Sequence, residues 1–180
     1  MRLEKYIRQF PGFPREDILF HDISPLLADA GAFRESIALL AKRIGPWAPD
    51  ILAGVEARGF VFASALALHM GTGMVMVRKE GKLPGETVRE EYSLEYGAAI
   101  LEAQADAVRP GARVVVVDDL LATGGTFQAA VSLMRGLGAT VPGVACVLEM
   151  PGLNGRAALD VAAVSLLKIV GDRAVMAGND

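Results

Sequence analysis

The sequence predicts an α/β fold, a largely parallel sheet flanked by helices. Three observations point to it. Short apolar runs suited to strands, at residues 51–55, 74–77, 114–117 and 144–148, alternate with segments of helical period. Residues 114–117 are four consecutive valines, a β-branched run that suits a strand buried on both faces. Glycine and proline punctuate the junctions, at Gly45-Pro46, Gly71, Pro110-Gly111 and Gly138.

Taken in order, Leu3, Ile7 and Phe10 recur at helical spacing and predict a short opening helix, broken by Pro11, Gly12 and Pro14. Residues 18–23 form a short apolar piece ended by Ser24-Pro25. Phe33, Ile37, Leu40 and Ile44 share one face of a helix that stops at Gly45-Pro46. A buried strand over 51–55 leads to residues 60–70, apolar nearly all round as a buried helix should be. After the strand at 74–77 the character changes. Residues 78–91 are charged, contain Gly81, Pro84 and Gly85, and lack an apolar period. That stretch is too long for an ordinary connection, so it is either functional or disordered. Residues 92–101 are extended with an interruption at Gly97, and a short helix is expected over 102–108. Beyond the valine strand, a helix over 127–137 closes at Gly138, and 144–148 and 161–169 are extended. No repeat, low-complexity stretch or linker divides the chain, so residues 1–180 read as one domain.

Composition narrows the class of function. Hydrophobic residues make up 52% and charged residues 22% of the 180, a globular balance with enough chain for a substantial core. The net charge of −3 gives no basic field for nucleic acid or an anionic membrane, so the cations that meet any anionic ligand must be local. The single cysteine, Cys146, excludes an internal disulfide, suits a reducing compartment and reads as a buried, inert thiol. The N-terminus carries charges of both signs with no long apolar stretch after it, which argues against a signal peptide. A cytoplasmic protein without nucleic-acid or membrane partners is expected.

The chemistry concentrates after the valine strand. Asp118 and Asp119 lie at its carboxyl end, where open parallel sheets bind ligands. Ala122-Thr123-Gly124-Gly125-Thr126 then leads into a helix. Glycines let backbone N–H groups converge on a phosphate, the helix N-terminus favours negative charge, and Thr123 and Thr126 add hydroxyls. Two carboxylates beside such a cradle would repel a phosphate unless one ligand spans both features. A ribose 5-phosphate does so, with its phosphate in the turn and its 2′- and 3′-hydroxyls on the carboxylates, which could also help hold Mg²⁺. The alternative is an ordinary turn with Thr126 as a helix cap. Neither GxxxxGK[ST] nor a GxGxxG after a strand occurs.

The string of four valines followed by Asp118-Asp119-Leu120-Leu121-Ala122-Thr123-Gly124-Gly125-Thr126 resembles the PRPP-binding signature of type I phosphoribosyltransferases. Four more segments resemble the adenine phosphoribosyltransferase family, in family order over roughly residues 10–150. They are Phe20-His21-Asp22-Ile23-Ser24-Pro25, Glu56-Ala57-Arg58-Gly59-Phe60, Arg78-Lys79 with Gly81-Lys82-Leu83-Pro84-Gly85, and Tyr92-Ser93-Leu94-Glu95-Tyr96-Gly97. The resemblance implies the type I phosphoribosyltransferase fold, a small N-terminal hood over 1–30 that meets the base, and a flexible catalytic loop over 78–91. It implies transfer of the 5-phosphoribosyl group from PRPP to adenine, giving AMP and pyrophosphate in purine salvage, with Mg²⁺ as cofactor and a homodimer as assembly.

It also implies roles. Asp118, Asp119, Ala122, Thr123, Gly124, Gly125 and Thr126 take the ribose phosphate of PRPP. Glu56, Ala57, Arg58, Gly59, Arg78 and Lys79 take the pyrophosphate, and Leu19, Phe20, His21, Tyr96 and Met150 take the base. Mg²⁺ is held mainly through substrate, with Asp118 and Asp119 as candidate carboxylates. The catalytic set is Glu95, Arg58, Lys79 and Lys82: the cations stabilise the departing charge, and the loop shields an oxocarbenium-like sugar from water. Glu95 either donates to N7 of the purine as a protonated carboxyl or is a solvated strand residue. Arg58 has a surface ion pair as its alternative, and Leu19 and Met150 have core packing. Position 21, usually arginine in the family, is His21 here, which matters only if a side chain reads the base. His69 reads as a helix-end residue without a role. Two rivals stay open: the same chemistry on hypoxanthine, guanine, xanthine or orotate, and a non-catalytic PRPP- or nucleotide-sensing regulator. Against them, no lysine is evident for a 6-oxopurine, the closing loop is kept, and no DNA-binding segment is added.

Overall fold

Four consecutive valines have no polar face to offer water, and the fold buries them at the centre of its sheet. The computed structural model describes residues 1–93 and 98–178. A small antiparallel pair, β1 (Arg8–Pro11) and β2 (Leu19–Asp22), comes first, in register Phe10 to Phe20. Helices α1 (Ser24–Ala28) and α2 (Ala30–Ile44) follow, then β3 (Ile51–Val55), α3 (Arg58–Met70) and β4 (Gly73–Lys79). Strands β5 (Thr87–Ser93) and β6 (Ala98–Gln104) precede β7 (Arg113–Val117), the two-residue β8 (Leu120–Leu121) and α4 (Gly125–Gly136). The chain ends with β9 (Thr140–Glu149), β10 (Ala162–Val170) and β11 (Arg173–Met176).

Among the described residues the main sheet runs β11-β10-β9-β7-β3-β4-β6-β5, with β8 beside β9. Its middle is parallel: β4, β3, β7, β9 and β10 pair in that sense, and β11, β6 and β5 add antiparallel borders. Alternation along β7 divides the core. Val115 and Val117 pack with Leu40, Phe62 and Leu66 of α2 and α3, whereas Val114 and Val116 pack with Phe127, Val131 and Met134 of α4. All four valines are fully buried, and such burial stabilises by about 1.5–3 kcal/mol per side chain. Cys146 is buried in the α4 layer, where burial pushes its thiol well up, as expected of an inert cysteine.

Caps define the long helices. The Asp29 carboxylate accepts the Ala32 N–H at 2.8 Å to open α2, and Lys42 and Arg43 stand in its last turn. Helix α3 ends at Gly71, with His69 exposed in its last turn.

Several expectations are corrected. The opening helix is only a 3₁₀ turn, Leu3–Tyr6, because Arg8–Pro11 is drawn into pairing with β2. Helix α3 is not buried all round: Phe62, Ala63, Leu66 and Ala67 face the core, but Val61 and Leu68 are exposed. The helix expected at 102–108 is replaced by β6 as far as Gln104, since pairing with β4 and β5 overrides the helical preference of Glu, Ala and Gln. The irregular stretch at 78–91 shrinks to 80–86, because β4 extends through Lys79 and β5 begins at Thr87. Strand β5 lies at the sheet border, where alternate polar side chains reach solvent and no apolar period is needed. Helix α4 starts two residues before the expected 127, and β11 was not expected.

Candidate active site

The carboxyl ends of β3 and β7 open onto a cleft with three adjoining lobes that share two residues, Arg58 and Asp119. Arg58 is the first residue of α3. Its Nε lies 3.0 Å from Asp119 Oδ2, and its guanidinium stands 5.6 Å from the centroid of the Phe20 ring. An ion pair is therefore present, as the alternative reading of Arg58 held, but it lies inside the cleft.

The first lobe, about 190 Å³, is formed by the turn from Asp118 to Phe127. Ala122, Thr123, Gly124, Gly125 and Thr126 all line it, so the structure brings the five expected residues together. Thr126 is within the first turn of α4 and is not its cap; the cap position belongs to Gly124, with no side-chain cap bond. The N-terminal amides of α4 thus face the lobe without a side chain competing for them. Gly124 has φ +90°, and a Cβ there would stand 2.6 Å from the Gly155 carbonyl oxygen. Only glycine fits.

Asp118 Oδ1 accepts the Asp119 N–H at 2.8 Å. Burial, and then repulsion from Asp119, push the Asp118 carboxyl well above the usual carboxylate range, with Arg58 opposing the shift. A hydroxyl-bearing or cationic ligand relieves this burden; a bare phosphate would deepen it.

The second lobe, about 280 Å³, is walled by Glu56, Ala57, Arg58 and Lys79 with both aspartates. The Glu56–Ala57 peptide is cis. Gly59, expected among the pyrophosphate ligands, does not line this lobe; a Cβ on it would lie 2.7 Å from the Val117 carbonyl oxygen, so a glycine there permits close contact between α3 and the end of β7. The Glu56 carboxylate collects cations. It accepts Arg78 Nε at 2.9 Å and the Lys79 N–H at 3.3 Å, and it pairs with the Lys82 ammonium. Burial pushes its carboxyl up, but the Lys82, Arg78 and Lys79 contacts together take it below the usual range. The side chains of Arg78 and Lys82 are therefore engaged on Glu56, while Lys79 lines the lobe.

The third lobe, about 110 Å³, brings Leu19, Phe20 and His21 of β2 against Met150, as expected, together with Leu120 and Leu148. His21 is half-buried, and its Nε2 lies 3.5 Å from Gln9 Nε2 on β1. Glu95 and Tyr96 lie outside the described residues.

Two contributions escaped the sequence reading. Tyr92, inside a quoted motif but given no role, lines the second lobe with Leu101. Glu149, beside Met150, accepts two bonds from Arg156, Nε at 2.9 Å and Nη2 at 2.6 Å, and a third from Ser165 Oγ at 2.5 Å. Arg156, more than burial, sets the Glu149 carboxyl below the usual range. This anchor fixes the 155–158 turn that backs residues 122–126, where Gln128 Nε2 also donates to the Ala158 carbonyl at 2.6 Å. No local pattern links positions 149, 156 and 165 in the sequence; folding alone joins them.

The sequence matches the phosphoribosyl transferase domain family over residues 23–173. It is 52% identical over 167 residues to an adenine phosphoribosyltransferase of Gluconacetobacter diazotrophicus, covering 93% of this chain and 95% of that one. The fold is similar to the crystal structure of adenine phosphoribosyltransferase from Thermoanaerobacter pseudethanolicus, with TM-score 0.90 and 48% identity, covering 92% and 97% of the two chains. It is also similar to the Saccharomyces cerevisiae enzyme complexed with adenine and an imino-altritol bisphosphate, with TM-score 0.86 and 38% identity, covering 91% and 95%. With the family signature on the cleft and similarity along nearly the whole chain, this protein belongs to the phosphoribosyl transferase domain family, among the adenine phosphoribosyltransferases.

Proposed function

We propose that this chain transfers the 5-phosphoribosyl group of PRPP to adenine, giving AMP and pyrophosphate in purine salvage. The observation that carries the reading is the meeting of three lobes at Arg58 and Asp119: one apolar, one lined by the glycine turn, and one where Arg58 and Lys79 stand among the carboxylates of Glu56, Asp118 and Asp119. A nucleobase, a sugar phosphate and a pyrophosphate need those three environments around one carbon, C1′.

In this reading the 5′-phosphate sits on the 122–126 amides and the hydroxyls of Thr123 and Thr126, and the ribose hydroxyls donate to Asp118 and Asp119. Remote binding of the phosphate positions C1′. Adenine lies between Leu19–His21 backbone and Met150, so His21 in place of the usual arginine does not disturb the base. Pyrophosphate leaves C1′ toward Arg58, Lys79 and the positive end of α3, with Arg78 of β4 and Lys82 of the loop as cations in reserve. The family resemblance assigns Glu95 and Tyr96 to the base, with Glu95 meeting the purine at N7. Mg²⁺, when bound, neutralises pyrophosphate oxygens; Asp118 and Asp119 suit an ion completed by substrate oxygens, and no cluster of three or more metal-binding side chains exists among the described residues.

One domain with a hood over residues 1–30 serves this chemistry. The working form is a homodimer, a reading supported by the family and by the apolar Val61 and Leu68 that α3 leaves uncovered. A cytoplasmic setting accords with the single free thiol of Cys146 and with phosphorylated substrates.

A panel of nucleobases with PRPP and Mg²⁺, followed by chromatography of the nucleotide product, tests the reading. AMP from adenine is expected, with far slower formation from hypoxanthine, guanine or xanthine. Turnover of a 6-oxopurine in preference to adenine would overturn the base assignment, and absence of any turnover would leave a PRPP-sensing protein as the better reading.

A further inference from the structure

Glu102, in the middle of β6, has no place in the chemistry above, yet it is 1% exposed and carries a carboxylate. A buried carboxylate is tolerated only with strong partners. Its partners come from two places. Thr87 Oγ1 donates to Oε2 at 3.2 Å, and Arg89 Nε lies 3.6 Å from the same oxygen; both belong to β5. The Lys82 N–H donates to Oε1 at 3.1 Å from the 80–86 loop. Burial pushes the Glu102 carboxyl up, and the amides of Lys82, Gly81 and Leu83 with the Thr87 hydroxyl more than reverse it. A loop amide thus binds a buried carboxylate of the same sheet, a charge-assisted bond of the stronger kind.

The rest of the loop is tied down beside it. The Glu80 N–H donates to the Ile100 carbonyl at 3.2 Å, Gln104 Nε2 donates to the Pro84 carbonyl at 3.3 Å, and the Lys82 ammonium rests on Glu56. The loop therefore lies flat on β6, with Lys82 held at both its amide and its ammonium.

We propose that Glu102 is a positioning residue that holds the 80–86 loop down on β6 through the Lys82 amide, and that closure over PRPP requires this amide to leave it. The second half rests on the function proposed above; the first does not. Release leaves Glu102 with Thr87 and Arg89, which are not part of the loop, so the buried charge keeps partners in the closed state. Glu102 thus sets the balance between the two states of the loop, and weakening it favours closure.

Amide hydrogen exchange of the full chain, followed by mass spectrometry, tests this with Glu102→Gln and Glu102→Asp. Without ligand, Glu102→Gln should speed exchange at residues 81–83 about tenfold while β7 stays as slow as before, and Glu102→Asp should fall between. The same Glu102→Gln change should lower the KM for PRPP about threefold with a smaller change in kcat. Unchanged exchange at 81–83 in a folded variant overturns the proposal, and so does acceleration shared equally by β7, the mark of a merely structural residue. If Glu102→Gln does not fold, the Glu102→Asp comparison decides by the same criterion. PRPP with Mg²⁺ should alter exchange at 81–83 in the unmodified protein. No change there would overturn the closure half and would count against the proposed loop chemistry, leaving the ligand-free clamp to stand on the variants.

Discussion

The turn at 118–126, the proposed phosphate site, and the loop at 80–86 both offer amides to an anion, but only the loop carries cations of its own, and the two are built from different material. In the turn the binding groups are backbone, positioned by a buried glycine against the Gly155 carbonyl and by the start of α4. Among the described residues, no side chain caps the start of α4 there. In the loop the groups already have anions: Lys82 rests on Glu56, beside Arg78 of β4, and the Lys82 amide rests on Glu102. A site made of packed backbone is formed before its ligand arrives. One made of side-chain charge near a sheet border first satisfies itself and must be exchanged to act. The first suits a part of the substrate that never changes during reaction; the second suits a part that must be gripped and then released.

The strongest way to break this contrast is to empty the rim of the preformed site. Asp118→Asn combined with Asp119→Asn should lower kcat/KM by about a thousandfold while circular dichroism stays native, because both ribose contacts go and the cradle remains. Near-normal turnover would place the ribose elsewhere. A smaller effect is expected from the cradle itself. Gly124→Ala forces a Cβ into the Gly155 carbonyl at a positive φ, and should weaken AMP and PRPP alike by roughly tenfold to a hundredfold. Unaltered AMP affinity, read by calorimetry, would show that the turn is not rigid. The mildest and most discriminating test concerns the loop. Glu56→Gln removes the counter-charge from Arg78 and Lys82, so pyrophosphate should bind about threefold tighter at low salt, with a steeper salt dependence. AMP affinity should not move. A shared shift in both would erase the distinction between the two regions.

The regions also differ in how legible they are. Residues 114–126 read correctly because their signals are local: a β-branched run, two acids at its end, glycines and a helix start within one short stretch. The loop and its borders read poorly because their order comes from distant pairing. Glu102 looks like a helix residue until β4 and β5 flank it, and Thr87 to Ser93 look irregular because a border strand needs no apolar period. Arg8–Pro11 likewise becomes a strand only by meeting β2. In the site, the acids, the glycines, Arg58 and the Leu19, Phe20, His21 and Met150 group were found from sequence and come together. What sequence could not separate was which cations are free to act and which are engaged, since that depends on where Glu56 and Glu102 fold. The Glu149, Arg156 and Ser165 anchor was invisible for the same reason.

The contact between Gly124 and Gly155 limits how such a site can be re-engineered. A Cβ on Gly155 would sit 2.1 Å from the Ala122 carbonyl oxygen, as one on Gly124 would strike Gly155 in return. Two backbone stretches 31 positions apart in the sequence thus touch with nothing between them, and a side chain on either cannot be accommodated by shrinking the other. A designer seeking to admit a bulkier or differently charged sugar phosphate has no room in that seam, and the adjustable positions are the hydroxyl-bearing ones at the cradle's open side, Thr123 and Thr126.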